Sequence, residues 1–131
     1  MIEPVTPYRG PVKKVNLRDA FARIHEYWRP RIAGDVNDMQ IRLVKMRGEF
    51  VWHHHQDEDE LFLVISGRLL MRFRDRQVWI EPGEFLIVPR GVEHCPVATE
   101  VCEVVLFERG SALNTGTEVN ARTVAELERI D

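Results

Sequence analysis

The sequence predicts an all-β domain, a sandwich or barrel built from short strands. From residue 39 onward, segments rich in β-branched and aromatic residues follow one another at close spacing, without helical patterns between them. Turn residues separate the segments, as at Ser66-Gly67, Asp75-Arg76 and Pro82-Gly83. The strands are predicted at residues 39–46, 60–67, 68–74, 77–80, 84–89 and 103–108.

The segments that flank these strands predict two short helices. Residues 1–15 carry three prolines and predict an extended arm. After the arm, Asn16 can cap a helix and Pro30 can end it. Near the end of the chain, the segment 123–126 can cap a second helix. The apolar positions of the two predicted helices are Leu17, Phe21, Ile24 and Trp28, and then Val124, Leu127 and Ile130.

The two cysteines, Cys95 and Cys102, suggest no structural disulfide. A hairpin turning at residues 98–101 would bring them near each other, but a two-residue turn at Thr99-Glu100 leaves Cys95 out of register with Cys102. The N-terminal sequence has no apolar signal core, so we expect a cytoplasmic protein with two reduced, partly buried thiols.

Composition excludes two classes of partner. The chain of 131 residues has a formal net charge of −3 and lacks the clustered basic residues that a nucleic-acid surface needs. No apolar run approaches the roughly 18 residues of a membrane span. We therefore expect a small-molecule partner, with no nucleic acid and no membrane.

A run of histidines and acids precedes the strand predicted at residues 60–67. Side chains alternate along a strand, and residues two apart lie about 6.6 Å from each other on the same face. His53 and His55 would therefore point to one side and His54 to the other. Two imidazoles at that spacing can bind one metal ion. Of the acids at residues 57–60, only Glu60 stands at the start of the strand, which favours it as a third ligand.

A second motif follows in residues 83–98, where turn glycines, Pro89 and His94 appear in order. Together the two motifs resemble those of the cupin family. In this chain they read Gly48-x4-His53-x-His55-x4-Glu60-x6-Gly67 and Gly83-x5-Pro89-x-Gly91-x2-His94-x3-Ala98. The departures are one residue fewer before the first histidine and Ala98 where the family has asparagine, and neither position is a ligand.

The resemblance implies a cupin jelly-roll barrel with short N-terminal and C-terminal helices. It assigns the metal ligands to His53, His55, Glu60 and His94, a donor set that suits one divalent ion of iron, manganese, nickel, zinc or copper. Small cupins commonly form homodimers, often by exchanging N-terminal segments. We expect one domain over residues 1–131, with an arm and helix (1–30), a conserved barrel (39–108) and a C-terminal tail (109–131).

Alternation extends the site into a predicted apolar pocket formed by Phe62, Val64, Met71 and Phe73. Three functions agree with such a site. The first is a metal-dependent enzyme, namely a dioxygenase, a lyase or an isomerase. The second is a binding or sensor protein without turnover, and the third is a barrel in which the metal fixes the structure.

Overall fold

A computed structural model describes residues 12–131, so most of the predicted N-terminal arm lies outside the described residues. Within residues 12–131 the chain forms one short helix and seven strands. Their bounds are α1 Leu17–Ala22, β1 Arg31–Val36, β2 Met39–Glu49, β3 Glu60–Ser66, β4 Leu69–Phe73, β5 Gln77–Ile80, β6 Phe85–Val88 and β7 His94–Arg109.

Strand β7 organises the antiparallel sheet. Its 16 residues pair with β4 near its beginning, and with β2 and β3 further along. Strand β1 extends the sheet beyond β2, strand β6 extends it beyond β3, and β5 pairs with β4. This arrangement confirms the predicted jelly-roll barrel. No helix among residues 12–131 has the length and apolar character to cross a membrane.

The strands differ from the sequence analysis in two places. Strand β1 was not predicted, because a glycine and an aspartate interrupt its short apolar segment. The hairpin at residues 98–101 does not form, since β7 continues through this segment. Strand β2 pairs with β7 on both sides of it, whereas β4 pairs with β7 before it and β3 after it. Cys95 and Cys102 are both fully buried, rather than partly buried, and form no disulfide with each other.

The N-terminal helix is confirmed but is shorter than predicted. The Asn16 side chain accepts a hydrogen bond from the Asp19 backbone N–H at 3.0 Å, as predicted for a cap. The helix ends at Ala22 rather than at Pro30. Trp28 adopts a positive φ of 62° and donates its indole N–H to the Arg47 carbonyl at 2.8 Å.

The predicted C-terminal helix is absent from the described structure, and residues 123–131 are irregular instead. Tertiary hydrogen bonds replace those of a helix. The Ile130 backbone N–H donates to Ile32, and the Val124 N–H donates to the Asn114 side chain, both at 2.8 Å. A nine-residue segment is too short for a helix to be stable by itself, so these contacts determine its conformation.

The apolar core has two parts. The larger part fills the barrel, and the smaller part lies between α1 and the outer face of the sheet. Phe21 and Ile24 are 1% exposed because the chain's own sheet covers them. The apolar face of the helix is therefore covered within the chain itself.

Candidate metal centre

The predicted ligands come from two neighbouring turns of the barrel. His53 and His55 lie in the segment between β2 and β3, Glu60 is the first residue of β3, and His94 is the first residue of β7. The His53 N–H donates to the His94 carbonyl at 3.0 Å, and the His94 N–H donates to the His53 carbonyl at 2.9 Å. This isolated bridge fixes two of the histidines side by side.

The structure brings all four predicted ligand residues together inside the barrel. One potential ligand atom from each of His53, His55, Glu60 and His94 lies within 4.8 Å of the others. Each residue is at most 3% exposed. His54, between two members of the cluster, is only half-buried and faces Thr117, so the predicted alternation holds although the segment is not a regular strand.

Backbone carbonyls orient two of the imidazole rings. The Nδ1 atom of His53 lies 2.9 Å from the Val51 carbonyl, and the Nδ1 atom of His94 lies 2.9 Å from the Val92 carbonyl. Because a carbonyl oxygen only accepts, both Nδ1 atoms carry the proton. The Nε2 lone pairs are therefore available to a metal ion, an arrangement typical of metal-binding histidines.

Three atoms of the cluster have no hydrogen-bond partner among the described residues: Nε2 of His55, Nε2 of His94 and Oε1 of Glu60. Glu60 Oε1 lies 3.1 Å from His55 Nε2 and 3.5 Å from His94 Nε2, so the three atoms face one another closely. A buried polar atom without a partner costs about 1–3 kcal/mol. A divalent cation would satisfy all three atoms, so the residues fit a metal ion.

The electrostatics of the cluster favour the metal-binding protonation states of Glu60 and His53 but not that of His55. Burial raises the pKa of Glu60, but His55 and His94 outweigh this effect and hold it well below its usual value. Burial and the nearby His94 lower the pKa of His53 to about 4. Burial also lowers the pKa of His55, yet the adjacent Glu60 carboxylate leaves it raised. Glu60 is thus charged and His53 neutral near pH 7.

The turns that carry the ligands are joined outside the barrel. The backbone N–H of Arg90 donates to Asp59 Oδ1 at 2.9 Å, and the Gly91 N–H donates to the His55 carbonyl at 2.7 Å. Gly91 has a φ of 81°, a conformation that glycine adopts without strain. The two motifs are therefore connected next to the ligands Glu60 and His55.

Sequence reasoning missed a second buried polar cluster beside the first. Arg42 on β2 is 1% exposed, and its Nη1 donates to Glu108 Oε1 on β7 at 2.9 Å. The other guanidinium contacts go to the Gln40 side chain and to the carbonyls of Arg109, Gly110 and Ala112. The available signal in the sequence was one charged residue within each of two apolar segments, which the structure pairs as β2 and β7.

Glu108 links this ion pair to the metal cluster. Burial, followed by the negative charge of Glu60, raises the pKa of Glu108 well above its usual value despite the Arg42 guanidinium. Its second oxygen, Oε2, is buried without a hydrogen-bond partner. The Glu108 carboxyl group is therefore close enough to Glu60 to sense its charge.

An apolar cavity opens beside the cluster. It is about 20 Å³ in volume, room for about one water molecule. Its polar lining groups are His53, Glu60 and Asn114. The apolar lining residues are Trp28, Pro30, Val44, Met46, Phe50, Phe62, Pro96 and Leu106.

The predicted pocket residues only partly coincide with this cavity. Phe62 lines it, whereas Val64 and Met71 are fully buried in the barrel core and Phe73 packs against that core. The side chains of these residues do face the barrel core, as alternation indicates. Alternation does not indicate at which level of the barrel a cavity remains. Trp28 and Phe50, whose rings stack at 4.7 Å, line the cavity and were not predicted.

Comparison with known families supports this architecture. A family model described as "Cupin domain" matches residues 41–108, just over half of the chain. The chain belongs to the cupin family. Both ligand turns and all four clustered residues lie within the matched region of this cupin.

Two solved structures are similar over most of the chain. A cupin-2 domain containing protein from Shewanella frigidimarina shares 43% identity, with a TM-score of 0.72 over 72% of this chain and 93% of the other. Protein NMB1881 from Neisseria meningitidis shares 33% identity, with a TM-score of 0.69 over 75% of this chain and all of the other.

A curated relative, the uncharacterized protein YdbB from Bacillus subtilis, is 43% identical over 61 residues. The match covers 46% of this chain and 54% of the relative, so the chain matches only about half of the relative's length.

Proposed function

We propose that the chain binds one divalent transition metal ion through His53, His55, Glu60 and His94. The observation that carries the proposal is the convergence of three buried, unpartnered ligand atoms on one point of the barrel. Hydrogen bonds to backbone carbonyls already orient two of the imidazoles for this role. Mixed nitrogen and oxygen donors suit iron(II), manganese, nickel, zinc or copper.

We further propose that the metal centre is catalytic and acts on a small molecule. A bound ion supplies Lewis-acid activation of an oxygen ligand. Glu60 provides the negative charge of the site. Both His53 and Glu60 line the cavity, so the metal site adjoins it. The apolar lining, with Trp28 and Phe50 stacked at one wall, favours a small, largely apolar substrate with one oxygen atom for the metal. Because the cavity has room for only about one water molecule, such a substrate requires the lining side chains to move apart.

The test of this proposal is a spectroscopic titration of the open coordination positions. Four protein ligands do not fill an octahedral shell. The protein loaded anaerobically with iron(II) is therefore expected to change its absorption spectrum when nitric oxide or azide is added. An unchanged spectrum with iron bound would contradict the catalytic proposal and favour a structural metal.

One observation favours a second candidate, a metal-containing binding or sensor protein without turnover. The titratable groups that line the cavity are His53 and Glu60, and both belong to the ligand set. No independent acid or base therefore faces a substrate from the described lining residues. A screen for oxygen uptake and for turnover of small carbonyl compounds by the metal-loaded protein separates the two candidates.

A homodimer and a cytoplasmic location remain proposals. Strand β6 forms an edge of the sheet, and its Phe85 and Ile87 side chains are 62% and 53% exposed. Exposed apolar side chains on an edge strand favour association. Light scattering at micromolar concentration should report twice the mass of the chain, and a monomer mass would reject the dimer.

A further inference from the structure

We infer that the C-terminal segment of residues 110–124, which lies beyond the region matched by the family model, positions the metal ligands through Gly116. The inference rests on the proposed metal site and adds a positioning residue to it. The ligands themselves lie within residues 41–108, whereas Gly116 lies outside that region.

The segment contacts the backbone between the two adjacent histidine ligands. The Thr117 backbone N–H donates to the His54 carbonyl at 3.0 Å. Gly116 forms the turn that makes this contact possible, with a φ of 58° and its own N–H bonded to the Leu113 carbonyl at 3.0 Å. The His54 carbonyl belongs to the residue that joins His53 to His55, so its position determines how both side chains are presented.

Gly116 approaches this backbone too closely for any side chain. A Cβ atom at residue 116 would overlap the His54 carbonyl oxygen and lie 2.7 Å from the carbonyl carbon. The same atom would lie 3.4 Å from Cδ2 of the His53 ring, the carbon bonded to Nε2. Residues 53–55, which carry two of the ligands, are called the ligand turn below. Glycine is required at position 116 because it packs closely against His53 and His54 of this turn and because its φ is positive.

Further contacts hold the segment in place on both sides of Gly116. The Arg42 guanidinium donates to the Ala112 carbonyl at 2.8 Å. Asn114, which also lines the cavity, donates to the Arg122 carbonyl at 2.7 Å and accepts from the Val124 N–H at 2.8 Å. Residues 112–124 thus form an anchored loop against the ligand turn.

The ligand turn depends on this loop because it forms few other backbone hydrogen bonds. His53 pairs with His94, and the His55 carbonyl accepts from Gly91. Between them, the His54 carbonyl is held by Thr117 alone among the described backbone donors. Displacement of the loop would therefore allow the segment between His53 and His55 to rotate. Outer contacts that orient metal ligands typically contribute about 10- to 100-fold to metal affinity.

The test compares Gly116→Ala with Gly83→Ala in the full chain. Gly83 has a φ of 84° and open space around the position of a Cβ, so its substitution introduces backbone strain without contact with the ligand turn. Affinity for nickel(II) is measured by chelator competition, and the visible spectrum is measured with cobalt(II) bound. We expect Gly116→Ala to weaken nickel binding by about 10- to 100-fold and to shift the cobalt spectrum. Gly83→Ala should change neither.

Asn114→Ala provides a second test that introduces no clash. Loss of its side chain frees the loop at residues 122 and 124, and we expect weaker nickel binding and an altered cobalt spectrum here as well. If Asn114→Ala and a folded Gly116→Ala both match the wild type, the inference is wrong; if Gly116→Ala fails to fold, Asn114→Ala decides alone.

The metal-site proposal is tested separately by His94→Ala in the same assays. Retention of metal by that variant would contradict the proposed function itself. Loss of metal by His94→Ala, together with wild-type binding by Gly116→Ala and Asn114→Ala, would contradict only the positioning role of the C-terminal segment.

Discussion

Two buried polar clusters lie side by side in the barrel, and they differ in how their hydrogen bonds are satisfied. The guanidinium of Arg42 makes contacts with five acceptors, including Glu108. Among residues 12–131, the Arg42 cluster leaves one buried atom without a partner, Glu108 Oε2, whereas the histidine–glutamate cluster leaves three, namely His55 Nε2, His94 Nε2 and Glu60 Oε1. Native proteins rarely leave such atoms unpaired in their interior.

The difference indicates that the Arg42 cluster maintains the fold, whereas the histidine–glutamate cluster is suited to binding a ligand. The Arg42 contacts join β2 to β7 and to the chain beyond β7, so they stabilise the barrel whether or not metal is present. The histidine cluster provides no comparable contacts to the metal-free protein. Substitutions in one cluster should therefore change mainly stability, and substitutions in the other mainly metal binding.

The largest expected effect is the loss of metal from His53→Ala or His94→Ala. Either substitution removes an imidazole from the four-residue cluster. We expect elemental analysis to find about one metal ion per wild-type chain and almost none in these variants. His54→Ala is the matched control and should retain the ion, because the His54 side chain points away from the cluster. Equal loss from all three variants would contradict the assigned alternation.

The next effect is on stability. Arg42→Met leaves the buried Glu108 carboxyl group without its cationic partner, which should lower the free energy of unfolding of the metal-free protein by about 3–5 kcal/mol. Urea denaturation measures this change. The double variant Arg42→Met/Glu108→Leu removes both charges and should recover most of the loss. A single variant as stable as the wild type would show that the pair does not maintain the fold.

A smaller effect concerns pH. In the metal-free protein the Glu60 carboxylate raises the pKa of His55, so His55 retains a proton at higher pH than an ordinary histidine, and metal binding must displace it. Nickel affinity should therefore increase with pH, by at most about tenfold per pH unit, until His55 is neutral. His53, with a pKa of about 4, adds nothing to this dependence near neutrality. Chelator competition from roughly pH 5.5 to 8, a range that spans the usual histidine pKa, measures how nickel affinity changes with pH. A flat profile would contradict it.

The smallest effect is expected at the exposed contact between the ligand turns. The Asp59 carboxylate accepts from the Arg90 backbone and side chain at the surface. Exposed ion pairs contribute little to stability. Asp59→Asn should consequently leave nickel affinity within about twofold of the wild type, since the amide oxygen still accepts from the Arg90 backbone. A loss similar to that of Gly116→Ala would extend the set of positioning residues to this contact.

The sequence predicted those parts of the molecule that depend on local pattern and on the cupin motifs. Alternation paired His53 with His55, the start of the strand favoured Glu60, and the cupin resemblance added His94; the ligand atoms of these four residues lie within 4.8 Å of one another. The C-terminal helix was wrong because contacts with Ile32 and Asn114 outweigh the weak helical preference of a short segment. Local pattern also gives no information on close approaches between distant segments.

Gly116 and the Arg42–Glu108 pair illustrate that limit. Gly116 lies in a polar tail with no motif, and only the packing against His54 distinguishes it from other turn glycines. Arg42 and Glu108 are 66 positions apart in sequence, and their contact depends on the pairing of β2 with β7. The sequence shows both charged residues but not that they contact each other.

The central claim is that the unpartnered histidine–glutamate cluster binds one metal ion per chain. Its most direct test is a titration of metal-free protein, purified without a chelating resin, with nickel(II), followed by elemental analysis after dialysis. The account predicts saturation at one tightly bound ion per chain in the wild type and no retained ion in His94→Ala. A wild-type protein that retains no ion, or a His94→Ala variant that retains as much as the wild type, would contradict it.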